Sequence, residues 1–118
     1  MTKQCDHQSV GVILKQDDCY VVIKRKNYPV AYALVAGHLD QQSFEEAAFI
    51  EVAQEIGVSI VSMELRHEDT YSNLCRRADG TWHHWKIYEA TQWQGILSAG
   101  SDAISVHLVD DANLLKLA

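Results

Sequence analysis

Residues 35–58 read VAGHLDQQSFEEAAFIEVAQEIGV. The stretch parses as a strand end, a loop, a helix and the approach to another strand. Gly37 stands where a strand must turn. Ser43, with Glu46 three residues later, forms a capping-box pattern in which Ser43 is the N-cap. From Phe44 onward the apolar residues fall at helical spacing, so Ala48, Phe49, Val52 and Ile56 are expected on one buried face. Gly57 is placed to end the helix as its C′ residue. Glu51 and Glu55 are four apart and stand one above the other on a different face, with Gln54 beside them. Such a like-charge pair costs an isolated helix roughly 0.2–0.5 kcal/mol. A hard divalent cation offsets that cost, since Mg²⁺ is held by one or two carboxylates plus substrate phosphates. A solvated helix face explains the same residues, because charged faces are the rule on surface helices.

The surroundings of the helix carry more. The stretch resembles the Nudix box, G-x5-E-x7-R-E-U-x-E-E-x-G-U, with U a bulky apolar residue. Gly37 matches the opening Gly, and Glu51, Val52, Glu55, Gly57 and Val58 match the second half. Four departures stand out: the segment between Gly37 and Ser43 is one residue short, Gln42 stands near the first Glu, Ile50 replaces the Arg, and Gln54 replaces the first Glu of the E-E pair. The opening AGHLDQQS is similar to a variant box of the form A-G-H-hydrophobic-D. The resemblance continues in KNYPVAYALVAGHLD before the box and CRRADGTWHHWKIYEATQWQG after it, and so covers most of the chain.

The resemblance implies an α/β fold, a single Nudix-type α/β/α sandwich on a mixed β-sheet spanning residues 1–118. It implies Mg²⁺, with Mn²⁺ as a substitute, held by Glu51, Glu55 and the backbone carbonyl of Ala36. The general base would be Asp102, in the loop where the family often places an acid, with Glu89 as the alternative. His38 would lie beside the metal, orienting a water or a phosphate or else capping the turn, and His83 with Trp85 would line a base pocket, core packing being the other reading of Trp85. Arg25 and Arg77 are candidate phosphate contacts, since Arg suits bidentate recognition of phosphate. Solubility and a solvated loop explain the same arginines, Lys24, Lys26 and Arg76 included. The implied activity is Mg²⁺-dependent hydrolysis of a diphosphate linkage in a nucleoside diphosphate or triphosphate derivative. The alternative is a Nudix-fold module that binds a nucleotide and releases it intact, suggested by Gln54 and Ile50. Nudix proteins often pair as homodimers.

Composition bounds these readings. With 118 residues the chain suits one core. A formal net charge of −6 argues against a nonspecific nucleic-acid binder, which needs a basic face. Cys5, Cys19 and Cys75 are widely spaced and include no C-x-x-C pair, so neither a disulfide framework nor a zinc ribbon is expected. Residues 1–9 contain no apolar run of signal-peptide type, and no run approaches the roughly 18 residues of a membrane span. A cytoplasmic setting is the expectation.

Along the chain, residues 1–8 read as a loose terminus. Strands are expected over 10–14, 19–24 and 32–36, the first two as a hairpin turning at Gln16-Asp17-Asp18. One or two strands follow over 58–71, then a loop over 72–80. Residues 82–90 (WHHWKIYEA) alternate, with Trp82, His84, Lys86 and Tyr88 on one face and His83, Trp85, Ile87 and Glu89 on the other. A polar loop over 98–102, a strand over 104–109 and a short amphipathic helix over 110–118 complete the chain. His83 and His84 point to opposite faces, and no H-x-H or cysteine lies close to them in sequence, so no zinc site is expected. The Ser nucleophile elbow and the G-x-x-x-x-G-K-[ST] phosphate loop are both absent.

Overall fold

The computed structural model describes residues 5–26, 32–72, 77–100 and 103–110. Strand β1 (Gln8–Ile13) runs at the centre of a four-stranded mixed sheet. It pairs antiparallel with β5 (Val35–His38) on one side and parallel with β7 (His83–Gln94) on the other. β7 in turn pairs antiparallel with the long outer strand β6 (Ser59–Tyr71). The central position explains the unbroken burial of Val10, Gly11 and Val12. An inner strand covered on both faces reads as an apolar run rather than an alternation.

A second sheet is built on β3 (Cys19–Arg25). Its one edge receives β2 (Lys15–Gln16) and β4 (Tyr32–Ala33) in tandem, and its other edge receives β8 (Ala103–Val109). Asp17 and Asp18 turn the chain between β2 and β3 with φ of 53° and 64°. These left-handed values are those of a type I′ hairpin, where Asp is tolerated. The expected hairpin of 10–14 with 19–24 is thus corrected. Only the stretch around Leu14 to Gln16 pairs with β3, and β1 departs into the other sheet. The expected strand over 32–36 is likewise split into β4 and β5, whereas 59–71 is one continuous strand. The expected C-terminal helix over 110–118 lies outside the described residues, except for Asp110.

Helix α1 (Phe44–Ile56) begins as its sequence dictates. The Ser43 hydroxyl accepts from the Glu46 N–H at 3.1 Å. It ends at Gly57, whose φ of 72° is left-handed and whose N–H reaches the Ala53 carbonyl at 3.2 Å. The core forms where α1 meets the mixed sheet: Ala48, Val52 and Ile56 pack with Val10, Val12, Val35 and Tyr88. Phe49 corrects the expected apolar face, being 42% exposed. At about 100° per residue it falls just beyond the arc that Ala47, Ala48, Val52 and Ile56 present to the sheet. Glu55 falls inside that arc and is only 6% exposed. The carboxylates therefore do not occupy a separate solvated face.

Val52 is fully buried. Val52→Ala is expected to lower stability by about 0.5–3 kcal/mol, the range of ordinary core truncations. Denaturant unfolding with and without Mn²⁺ checks this, and the increment contributed by Mn²⁺ should match that of the parent protein. No helix among the described residues is long and apolar enough to cross a membrane.

Candidate functional site

Two carboxylates of α1 are seated on consecutive residues of β5. The Ala36 N–H donates to Glu55 Oε2 at 3.2 Å. A Cβ built on Gly37 would overlap the Glu51 carboxylate, so this glycine is what lets the acid lie flat against the strand. β5 is the outer strand of its sheet, and Ala36 is opposite Gly11 of β1. Its N–H turns away from β1 toward Glu55. In an extended strand a residue's carbonyl points to the same side as its N–H, so the Ala36 carbonyl faces that edge too. The arrangement gathers hard oxygen donors in one place, the donor set preferred by Mg²⁺ or Mn²⁺. Glu55 is almost completely buried and lies beside a second carboxylate. That counts against a merely solvated face and makes the donor set fit a divalent ion.

The far side of this site is a closed loop. The Ser98 N–H bonds the Ile56 carbonyl at 3.0 Å and the Gly100 N–H bonds the Glu55 carbonyl at 2.8 Å. These bonds cap the helix C-terminus and hold the 98–100 segment over it. Asp102, the expected base, lies outside the described residues, as does Arg76. Ala103, just after it, is opposite Arg25 across a bulge in β3. Arg25 Nε is buried, and no acceptor for it exists among the described residues. Gln54 is exposed on the flank of α1 next to Glu51. Glu89 bonds Arg66 at 3.1 Å, on the sheet face opposite α1.

The turn after β5 is held by charge. Asp40 and Gln41 take left-handed φ values of 51° and 74°. The Asp40 N–H donates to the Asp6 carboxylate at 2.9 Å, and Arg77 forks onto both Asp40 oxygens at 2.5 and 3.1 Å. The hydrogen bond to Asp40 and its charge hold the Arg77 pKa above its ordinary value. Arg77 thus braces the AGHLD turn.

The sheet separates the remaining candidates from α1. Gly37 faces α1, so its neighbour His38 faces the other way. The Val10–Gly37 and Ser9–His38 pairs, continued through Trp85 on β7, put His38, His83 and Trp85 on that opposite face. The expectation that His38 lies beside the α1 carboxylates is therefore corrected by the strand alternation. Cys5 is buried between the two imidazoles, and the expectation of a loose terminus is corrected with it. Its N–H donates to the Ala78 carbonyl at 2.9 Å, and the His84 N–H donates to the His7 carbonyl at 2.8 Å. On the α1 face the residues missed from sequence are Tyr88, whose hydroxyl donates to Glu45 at 3.3 Å, and Lys86, which lies 4.6 Å above the Phe44 ring. Burial first, and then Glu45, push the Tyr88 pKa up to about 12. The alternation of β7 had put both residues on one face and could have flagged them.

The fold ties these features to solved structures. A Nudix hydrolase from Nitrosomonas europaea superposes with a TM-score of 0.77 at 18% identity, over 94% of this chain and 76% of that one. The chain has the Nudix fold. The E. coli dihydroneopterin triphosphate pyrophosphohydrolase superposes on the same Nudix architecture with a TM-score of 0.81 at 15% identity, over 98% of this chain and 88% of its own. The Nudix domain of Shewanella oneidensis NrtR, solved with ADP ribose, gives 0.74 at 20% identity, over 100% and 80%. No protein-family model matches the sequence, and no curated protein matches it.

Proposed function

We propose that this chain is a Nudix hydrolase that uses Mg²⁺, or Mn²⁺ in its place, to cleave a diphosphate linkage in a nucleoside diphosphate or triphosphate derivative. The observation that carries the reading is the seating of Glu51 and the buried Glu55 on Gly37 and Ala36. When bound, the cation supplies positive charge to the diphosphate oxygens as negative charge develops on them. The protein's part is to hold that charge in place. The Ala36 N–H fixes one oxygen of Glu55. Glu51, lying against Gly37, completes the anionic pair, and the Ala36 carbonyl faces the same edge. Arg25 is the phosphate contact, and Asp102 accepts the proton of the attacking water. Positioning and electrostatics of this kind are the main contributions such a site makes.

The test is incubation of the protein with a panel of nucleoside diphosphate and triphosphate derivatives and Mg²⁺, followed by chromatography for monophosphate products. No product from any of them, together with a thermal shift from one, supports the second reading, a module that binds a nucleotide and leaves it intact. That reading rests on the neutral amide of Gln54 beside Glu51 and on Ile50 in place of a basic residue.

Gln54→Glu discriminates further. It adds a third carboxylate one turn from Glu51 and should destabilise the metal-free helix by roughly 0.2–0.5 kcal/mol through like-charge repulsion. Mn²⁺ should restore the loss, because a ligand bound only by the native state stabilises it. Calorimetric titration is expected to show more Mn²⁺ bound than in the parent, and turnover should rise. Equal stoichiometry and equal turnover would place residue 54 outside the site.

A further inference from the structure

We propose a second metal site, for Zn²⁺, formed by the Cys5 thiolate and the Nε2 atoms of His38 and His83 on the sheet face opposite α1. The three ligand atoms lie within 4.8 Å of one another. Cys5 Sγ is 3.3 Å from His83 Nε2 and 3.7 Å from His38 Nε2. Zinc bonded tetrahedrally, with Zn–S of about 2.3 Å and Zn–N of about 2.0–2.1 Å, separates S from N by about 3.5 Å. The observed distances bracket that value. The two imidazoles are inclined at 65° with centroids 5.4 Å apart, so both rings converge on the sulfur without stacking on each other.

The surroundings suit the donor set. The His7 N–H donates to Cys5 Sγ at 3.3 Å, an outer bond of the kind that orients a metal ligand. Asp6 does not complete the set, since its two oxygens accept from Gln8 and Asp40. Three protein ligands leave a fourth position for water or another small ligand. One thiolate and two imidazoles select a borderline ion such as Zn²⁺ over Mg²⁺. The site joins the N-terminal segment, β5 and β7, and so would clamp the AGHLD turn from behind the α1 carboxylates.

The experiment uses untagged full-length protein carrying Cys19→Ser and Cys75→Ser, so that Cys5 is the only thiol. Calorimetry with Zn²⁺ is expected to show one ion per chain, and Co²⁺ to give tetrahedral d–d bands with a thiolate charge-transfer band. Adding Cys5→Ser should abolish that band and weaken Zn²⁺ by more than the roughly 10–100-fold lost with an outer-shell partner. His83→Asn and His38→Asn should each weaken Zn²⁺ as well, whereas Glu55→Gln should leave both signals intact, which separates this site from the proposed Mg²⁺ site. The Co²⁺ spectrum needs no ligand variant, so misfolding of a variant does not obscure it. An octahedral Co²⁺ spectrum without a thiolate band, or Zn²⁺ binding undiminished in the Cys5→Ser protein, would overturn the proposal and leave a hydrogen-bonded thiol cluster.

Discussion

Glu55→Gln is expected to lower turnover of a nucleoside diphosphate or triphosphate substrate by about 10²-fold or more, the scale of losing one preorganised electrostatic group. The substitution is conservative in the ways that matter for folding. Gln retains an oxygen that accepts from the Ala36 N–H, the bond now made at 3.2 Å. It keeps the size of a side chain that is 6% exposed. What it removes is charge. In the metal-free protein that removal relieves repulsion from Glu51, so the melting temperature should hold or rise. With Mn²⁺ present the parent should gain more stability than the variant, because the variant binds the ion less tightly. Kinetics, Mn²⁺ calorimetry and thermal melts with and without metal check the three parts together. Unchanged turnover would remove Glu55 from the mechanism. A large fall in melting temperature without a change in metal affinity would make Glu55 a structural acceptor only.

Gly37→Ala is the second substitution with a large expected effect. The added methyl would overlap the Glu51 carboxylate, so either the acid swings out or the strand is pushed from the helix. The overlapping atoms are the far end of a flexible side chain, so the acid can swing out at little cost in stability, and the displaced carboxylate should lose Mn²⁺ binding and turnover. Adding Glu51→Ala to Gly37→Ala removes the overlap. The double variant is expected to keep the parental stability and to regain none of the metal affinity, which separates crowding from ligation. A single variant with parental melting temperature and parental Mn²⁺ affinity would show that Glu51 does not need to lie on Gly37.

The local features of α1 were legible because each depends on neighbours in the chain. Ser43 and Glu46 are three apart, Gly57 follows the last apolar residue, and Val52 and Ile56 are four apart. Backbone geometry turns those spacings directly into a cap, a left-handed terminus and a buried stripe. The alternation of 82–90 was legible for the same reason, and β7 keeps it. Phe49 was not, since a residue at the margin of a helical face is buried or exposed according to what the neighbouring sheet covers. β1 was misread because an apolar run says that a strand is buried and not which strand it joins.

The sequence by itself determined the α1 helix, its caps, the i,i+4 pair Glu51 and Glu55, and an architecture resembling the Nudix fold. Only the tertiary structure decided what surrounds those side chains. It buries Glu55 against Ala36, commits Arg77 to Asp40 and turns His38 to the face away from α1. It also brings Cys5 to His38 and His83 across 33 and 78 residues of chain. The physical reason is that strand order β5-β1-β7 sets which residues meet across the sheet, and that order is fixed by packing over long loops. The period of a strand says only that His38 and Gly37 face opposite ways. Which of those ways holds the helix and which holds the cysteine depends on where the rest of the chain comes to lie.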